Sequence, residues 1–286
     1  MLAFLVVTAM PADPVRIAIH AWNLPLNDDT VAGLRSQWNL DRPLVDQYIR
    51  WLAGFVRGEW GTSFRTGHPV FGEFAARLPL TVAIGIGGLA LGVVLAVPLG
   101  FAAAWRPGGF ADGASRALAV GMQAVPVFCL GLALIWLFGV ELRWLKPFAA
   151  DAEALVLPIA LIAARTTATL GRVYRSELIE AGQQPFFRAA LAKGVGRRQA
   201  LWRHGHRHAL YALVAALRAE AGWAIGGTAT IEILFGLPGI SQFLVQSIAA
   251  RDYFVLQAYI MVVALWMTLM NAMVGVLLAR LDPRIR

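Results

Sequence analysis

The chain has 286 residues, 58% of them hydrophobic and only 15% charged, with a mean hydropathy of +0.63. Soluble domains average ~45–50% apolar and ~25% charged, and a ~300-residue globule still exposes about a quarter of its unfolded surface, so a single water-soluble core is excluded. Disordered, collagen-like and coiled-coil classes fail on the same numbers. A net charge of +8 would suit a nucleic-acid binder, but the basic residues gather in loops between apolar runs, the pattern of a membrane protein. The single cysteine, Cys129, excludes a disulfide framework, and no cysteine–histidine zinc pattern is present.

In chain order, Met1–Met10 is apolar but about half the length of a spanning helix, and it lacks the basic flank of a signal peptide. It reads as a partial first transmembrane helix, 1–10, with a short interfacial helix as the alternative. Residues 11–77 form an extracytoplasmic segment that mixes Trp22, Trp38, Trp51 and Trp60 with charges, as expected for a small cap anchored at the membrane interface. Residues 78–286 form the transmembrane domain. Leu78–Trp105, Ala117–Val140 and Tyr253–Ala279 are free of charge, Ala154–Gly171 carries Arg165, and Ala209–Ile231 carries Arg218 and Glu220. Lipid offers no hydrogen-bond partners, so each of these spans is predicted to be helical, with kinks at Pro98, Pro126 and Pro158. The fold class is therefore all-α and polytopic, with about five full spans plus the partial first one.

Charge orients the spans. Between Arg172 and His208 lie eight basic residues against Glu177 and Glu180, whereas the stretch from Pro11 to Pro79 holds seven basic and seven acidic residues. The positive loop, 172–208, belongs in the cytoplasm and the neutral segment outside. Arg280, Arg284 and Arg286 place the C-terminus inside, which five crossings from an external start satisfy.

No phosphate loop, zinc-protease helix or nucleophile elbow is present, so no catalytic residue is assigned. The glycines of Gly85–Gly92 lie within an apolar helix, where small side chains let helices approach closely. His204 and His208 have the i, i+4 spacing of a metal pair, but Arg203 and Arg207 crowd them and no carboxylate or thiolate completes a set, so no metal site is assigned. A basic boundary facing lipid head groups is the better reading. The loop EAGQQPFFRAALAKGVGRRQALWRHGHRHAL, Glu180–Leu210, is the most informative stretch. Its apolar Phe186, Phe187 and Ala189–Ala192 run up to Lys193–Gly194, predicting a short amphipathic helix stopped by glycine before a basic helix. Exposed phenylalanines on the cytoplasmic side would make that helix a docking element.

This loop resembles the EAA loop of ABC-importer permeases of the peptide/nickel family, which serve dipeptides, oligopeptides, nickel and metal-opines. Other stretches share the resemblance in the family's order: PADP at 11–14, LDRPLVDQYIRW at 40–51, GEWGTSFRTGHPV at 58–70, RLPLTVAIG at 77–85, ATIEILFGLPGISQFLVQSIAARDYFVLQ at 229–257 and LDPRIR at 281–286. The resemblance implies the type I importer fold and a non-catalytic subunit of the bacterial inner membrane. Its implied partners are a second permease, two cytoplasmic ATPases that hold ATP and Mg, an extracytoplasmic substrate-binding protein, and lipid; the chain itself binds no cofactor and no nucleic acid. It also implies ATPase-coupling roles for Glu180, Arg188, Ala189, Lys193 and Gly194, beside the docking Phe186. The sequence departs from the family's pattern at Pro185, Leu191 and Ala12.

Charge inside the spans is costly, ~2.5–3.5 kcal/mol per residue even on the insertion scale, and calls for a partner or a wet path. Arg165 lies about ten ångströms of helix rise from Arg172, and Glu220 about eighteen from His208, which makes them candidates to pair across two helices. Either they line the translocation path or they form a structural pair, and Arg218 could snorkel inward. Glu232, near the outer end of its helix, either shapes the outer gate or satisfies a backbone amide near the Gly236–Pro238–Gly239 turn. ISQFLVQSIAA, with Gln242 and Gln246 on one face, reads as a short re-entrant or interfacial helix; Cys129 and Met261–Met273 read as packing. The function read from these features is the permease subunit of an ATP-driven importer for peptides, nickel or metal-opines. The competing reading is a stand-alone channel or secondary transporter with an Arg165–Glu220 relay.

Overall fold

The computed structural model describes Phe4, residues 13–148 and residues 151–281. The expected partial first helix at 1–10 lies outside the described residues apart from Phe4, as do Ala12 and all of the terminal LDPRIR motif but Leu281. Every regular element among the described residues is helical, apart from one isolated bridge between Thr62 and Pro69. In chain order the helices are α1 (Pro14–Ala21), α2 (Asp28–Gln37), α3 (Leu44–Val56), α4 (Val70–Trp105), α5 (Phe110–Ala124), α6 (Val127–Leu134), α7 (Val156–Ala181), α8 (Pro185–Ala192), α9 (Arg197–Ala200), α10 (His206–Gly226), α11 (Ala229–Leu234), α12 (Ile240–Ala249) and α13 (Tyr253–Leu281). They fall into two compact units, Met1–Pro79 with Pro238–Leu265 and Leu80–Leu237 with Trp266–Arg286, two of the three divisions falling within α4 and α13 and the third between α11 and α12.

In the first unit the Asp13 side chain caps α1 by accepting from the Val15 amide at 3.0 Å and also pairs with Arg35 of α2 at 2.8 Å, which raises the guanidinium's proton affinity. Asn27 caps α2 in the same way through the Thr30 amide at 2.8 Å. Trp38 stacks on Phe64 with centroids 5.5 Å apart and meets Phe254 edge-on at 5.1 Å. Gly61, at φ +81°, leaves room for the Phe254 ring, which a β-carbon there would meet at 2.7 Å. Beside it Ser63 donates to the Asp252 carboxylate at 2.6 Å, and burial pushes that carboxyl up from its usual range. The ten-residue α12 is too short to cross a bilayer, as expected of an interfacial helix. It buries Phe243, whose ring lies beneath the guanidiniums of Arg65 and Arg77 at 5.0 and 4.6 Å.

The second unit is organised around one face of α4. Gly85, Gly88, Gly92, Ala96, Gly100 and Ala104 recur every three or four residues, so they line up on one side of the helix. A β-carbon at Gly85 would stand 2.1 Å from the Ala224 carbonyl oxygen of α10, one at Gly92 2.5 Å from the Thr166 Cβ, and one at Gly100 2.7 Å from the Gly171 carbonyl oxygen of α7. Helices therefore touch backbone to backbone along this stripe, the contact that small residues permit in membranes. Thr167 adds a hydrogen bond from its hydroxyl to the Gly92 carbonyl at 3.2 Å.

Several spans differ from the sequence-based expectation. The expected helix Ala117–Val140 is instead α5 and α6 bent by 110°. Pro126 has no N–H to donate and forces the preceding Val125 into extended backbone, φ −101°, ψ 127°, which ends α5. After α6 the chain continues as a π-helical turn over Ile135–Glu141. Pro98 does not break α4, and Pro158 sits in the first turn of α7, where no amide is required. The expected span Ala209–Ile231 stops at Gly226, and Ile231 belongs to the separate α11. Among the described residues, four helices are long and apolar enough to cross a membrane, or five if the bent pair counts as one crossing. Five crossings fit the charge pattern, because with four the net positive 172–208 loop and the neutral segment before α4 would share one face.

Replacing Gly92 by Val is expected to force α4 from α7, an overpacking cost of about 1–3 kcal/mol. The melting temperature of the detergent-solubilised protein should fall, whereas Gly113→Ala, where an added β-carbon meets no neighbouring atom within 4 Å, should hold or slightly raise it.

Candidate functional site

Helix α7 does not end at the expected membrane boundary but runs on to Ala181, so Glu180 stands on its last turn, exposed. The chain then folds into α8. Gln184 is extended at the cap and Pro185 takes the first helical position, where proline's fixed φ helps and its missing amide is not needed. At the other end the Val195 amide bonds the Ala190 carbonyl at 3.2 Å and the Gly194 amide bonds the Leu191 carbonyl at 2.9 Å. That is a Schellman closure, and it requires the left-handed φ of +83° that Gly194 adopts.

The two faces of α8 part company. Phe187, 2% exposed, and Ala190 enter a core with Tyr174 and Leu178 of α7, Leu201, and Leu213 of α10. The expectation that both phenylalanines face solvent is thus corrected: helical periodicity turns Phe187 inward as the anchor and leaves Phe186 41% exposed. Phe186 stacks on His208 with centroids 5.8 Å apart. Arg188, Ala189, Lys193 and Gly194 are exposed with it. All six expected coupling residues therefore lie on the solvent side of this loop, held there by Phe187. The histidines do not gather. A π-helical turn at Leu201–Gly205 shifts the register, His206 turns to the Tyr174 hydroxyl, and among the described residues no three His, Cys, Asp or Glu side chains come together.

Deeper in the same unit the structure brings Arg165 of α7 and Glu220 of α10 together, an Arg165 Nη1 donating to Glu220 Oε2 at 2.7 Å. The guanidinium also lies 4.2 Å from the Trp223 ring centroid. Glu220 is 9% exposed and Arg165 32%, so the anion is enclosed and the cation borders open space. Glu232 of α11 is buried elsewhere, accepting from the Thr81 hydroxyl at 2.8 Å and the Thr228 hydroxyl at 3.0 Å. Its carboxylate bridges α4 and α11, while its backbone carbonyl takes the Leu237 amide of the following turn at 2.8 Å. Arg218 is exposed on α10.

One group that sequence reasoning missed is Asp112. It is 1% exposed, accepts from Arg116 and from Arg175 at 2.6 Å each, and takes the Gly108 amide at 2.8 Å. The i, i+4 pair with Arg116 was visible in the sequence. The link to Arg175, 63 positions away, was not. It ties the start of α5 to α7 one to two turns before Glu180.

Removing one partner of a fully buried pair costs about 3–5 kcal/mol; with Arg165 partly exposed the cost here is smaller. Glu220→Gln or Arg165→Gln alone should lower the yield of folded protein, and the double variant should recover part of it, because no unpaired charge remains. Additive losses in a double-mutant cycle of thermal stability would contradict the pairing.

Residues 96–286 match the family model described as binding-protein-dependent transport system inner membrane component. Over 288 residues the chain is 34% identical to the glutathione transport system permease protein GsiC of Escherichia coli K12, covering 100% of this chain and 92% of that protein. The Shigella dysenteriae serotype 1 protein of the same name gives the same figures, and that of Pectobacterium atrosepticum is 33% identical over 287 residues with the same coverage. The chain belongs to the binding-protein-dependent transport system inner membrane components, as the non-catalytic permease subunit of an ABC importer.

Proposed function

We propose that this permease carries small peptide-like substrates, drives their passage by docking α8 on a partner ATPase, and works beside a second permease. Family membership brings ATP-hydrolysing and substrate-binding partners in general terms. The finer arrangement is two ATPases holding ATP and Mg, a similar second permease and an extracytoplasmic binding protein. The observation that carries the docking reading is the division of α8: Phe187 buried as an anchor, Phe186 and Arg188 exposed as a foot. A protruding aromatic beside a cation, flanked by Lys193 and held by a rigid turn, fits a groove on a soluble partner. Because α8 connects α7 to α9 and α10, a push on it reaches both helices that carry the Arg165–Glu220 pair. Rigid-body rocking of packed helices is the motion such a lever transmits.

The substrate reading rests on the relatives, which are named for glutathione transport. Peptides of that kind carry carboxylates, and the partly exposed Arg165 offers a cation for one of them along a path that Glu220 keeps from being uniformly positive. Peptide is favoured over free nickel or a metal-opine because those names are the only substrate words attached to the relatives described above. Glu232, bound to two threonine hydroxyls, fits a structural role in holding α11 against α4 better than contact with cargo.

In proteoliposomes holding the assembled importer, Phe186→Asp should reduce ATP-driven uptake of a glutathione-like peptide on the order of tenfold, the scale of a lost interface anchor. Gly194→Pro should do the same, since proline cannot take the positive φ that closes the helix. The Phe186→Asp protein should still insert and fold, because that side chain faces solvent. Unchanged uptake in both variants would refute coupling through α8, and uptake of nickel in preference to peptide would refute the substrate class.

A further inference from the structure

At the cytoplasmic end of α4 the second unit holds a groove of about 1060 Å³. Its floor is apolar: Val97, Pro98, Phe101 and Ala102 run up to Trp202, 53% exposed, whose ring meets Phe101 edge-on with centroids 5.4 Å apart. From Val97 to Trp105 the helix rises about 12 Å, so the groove runs from membrane depth to the cytoplasmic boundary. Its mouth is cationic. Arg197 and Arg198 line it, Arg198 lying 5.1 Å from the ring centroid of Trp105, and Arg106, outside the lining, also contacts that ring at 4.7 Å. No carboxylate lines the groove, and among the described residues none of these three arginines has an ion-pair partner. The adjacent cations Arg197 and Arg198 concentrate positive charge at this end of the groove, and an anion there would offset it.

We propose that this groove binds an anionic phospholipid of the cytoplasmic leaflet. One acyl chain lies along Val97, Phe101 and Trp202, and the phosphate sits at Arg197 and Arg198. Both halves of the ligand are needed to match the site. An apolar slot would suit any lipid tail, and a basic surface would suit any anion, but an apolar slot that opens on Arg197 and Arg198 at the boundary fits a molecule with a tail and a negative head. Tryptophans at this level are the usual boundary residues of membrane proteins, and basic pockets between helices on the cytoplasmic side recognise acidic head groups. The site adjoins α8 through α9. The inference rests on the cytoplasmic placement of the 172–208 loop and is independent of the cargo.

The test uses the wild-type importer, assembled, in mixed micelles. A phosphatidylglycerol analogue with a photoreactive group in its acyl chain should label peptides containing Val97–Trp105 and Trp202, and unlabelled phosphatidylglycerol should suppress this on the order of tenfold better than phosphatidylcholine. Arg197→Gln with Arg198→Gln should remove the preference for the anionic lipid while retaining uptake. Labelling confined to other peptides, equal competition by phosphatidylcholine, or crosslinking of Phe101→Cys to a partner protein in native membranes would each overturn the proposal.

Discussion

Direct contact between the backbones of α4, α7 and α10 is the constraint on which the second unit depends. The glycines at positions 85 and 100 bring α4 against backbone carbonyls of α10 and α7, and those at 88 and 92 admit the Ile162 and Thr166 side chains of α7 against the α4 backbone. In lipid there is no hydrophobic drive to bring helices together, so close packing and a few hydrogen bonds must supply the association. The same closeness fixes the registers of α7 and α10. That register brings Arg165 opposite Glu220, and it brings Tyr174, Leu178 and Leu213 together as the socket for Phe187. A bulky residue in the stripe would disturb both the charged pair and the docking loop, although neither contains a glycine of α4.

Charge is handled by a single rule at different depths. Within the bilayer an isolated ion is untenable, and Arg165 and Glu220 neutralise each other. At the cytoplasmic end Asp112 gathers Arg116 and Arg175, joining the base of α5 to that of α7. Farther out, Arg188 and Lys193 remain exposed on and after α8, available to a partner. Cations thus pass from paired within the helices to unpaired on α8 and the turn after it, so the unit has internal ties and an exposed basic edge.

Much of this was legible in the sequence, and the losses have physical causes. The spans were visible as apolar runs, and α8 as an apolar segment between Pro185 and Gly194, because both follow from local rules about solvent and backbone. The Arg165–Glu220 contact could be anticipated because two costly charges at similar depth have few other solutions. The inward turn of Phe187 was missed because adjacent phenylalanines look alike until the facing core is known. The break at Pro126 was expected only as a kink; how far a helix bends depends on what the freed groups pack against, and that is tertiary. Asp112–Arg175 is a contact of distant segments with no local signal.

The central claim is that this permease works as one member of an ATP-driven assembly and that its cytoplasmic loop holds the assembly to its motor. Affinity purification of the tagged chain from native membranes in a mild detergent, with its partners identified by mass spectrometry, tests this most directly. The account predicts recovery of a second permease together with ATP-binding subunits. A chain that comes away alone, or only with copies of itself, would contradict it.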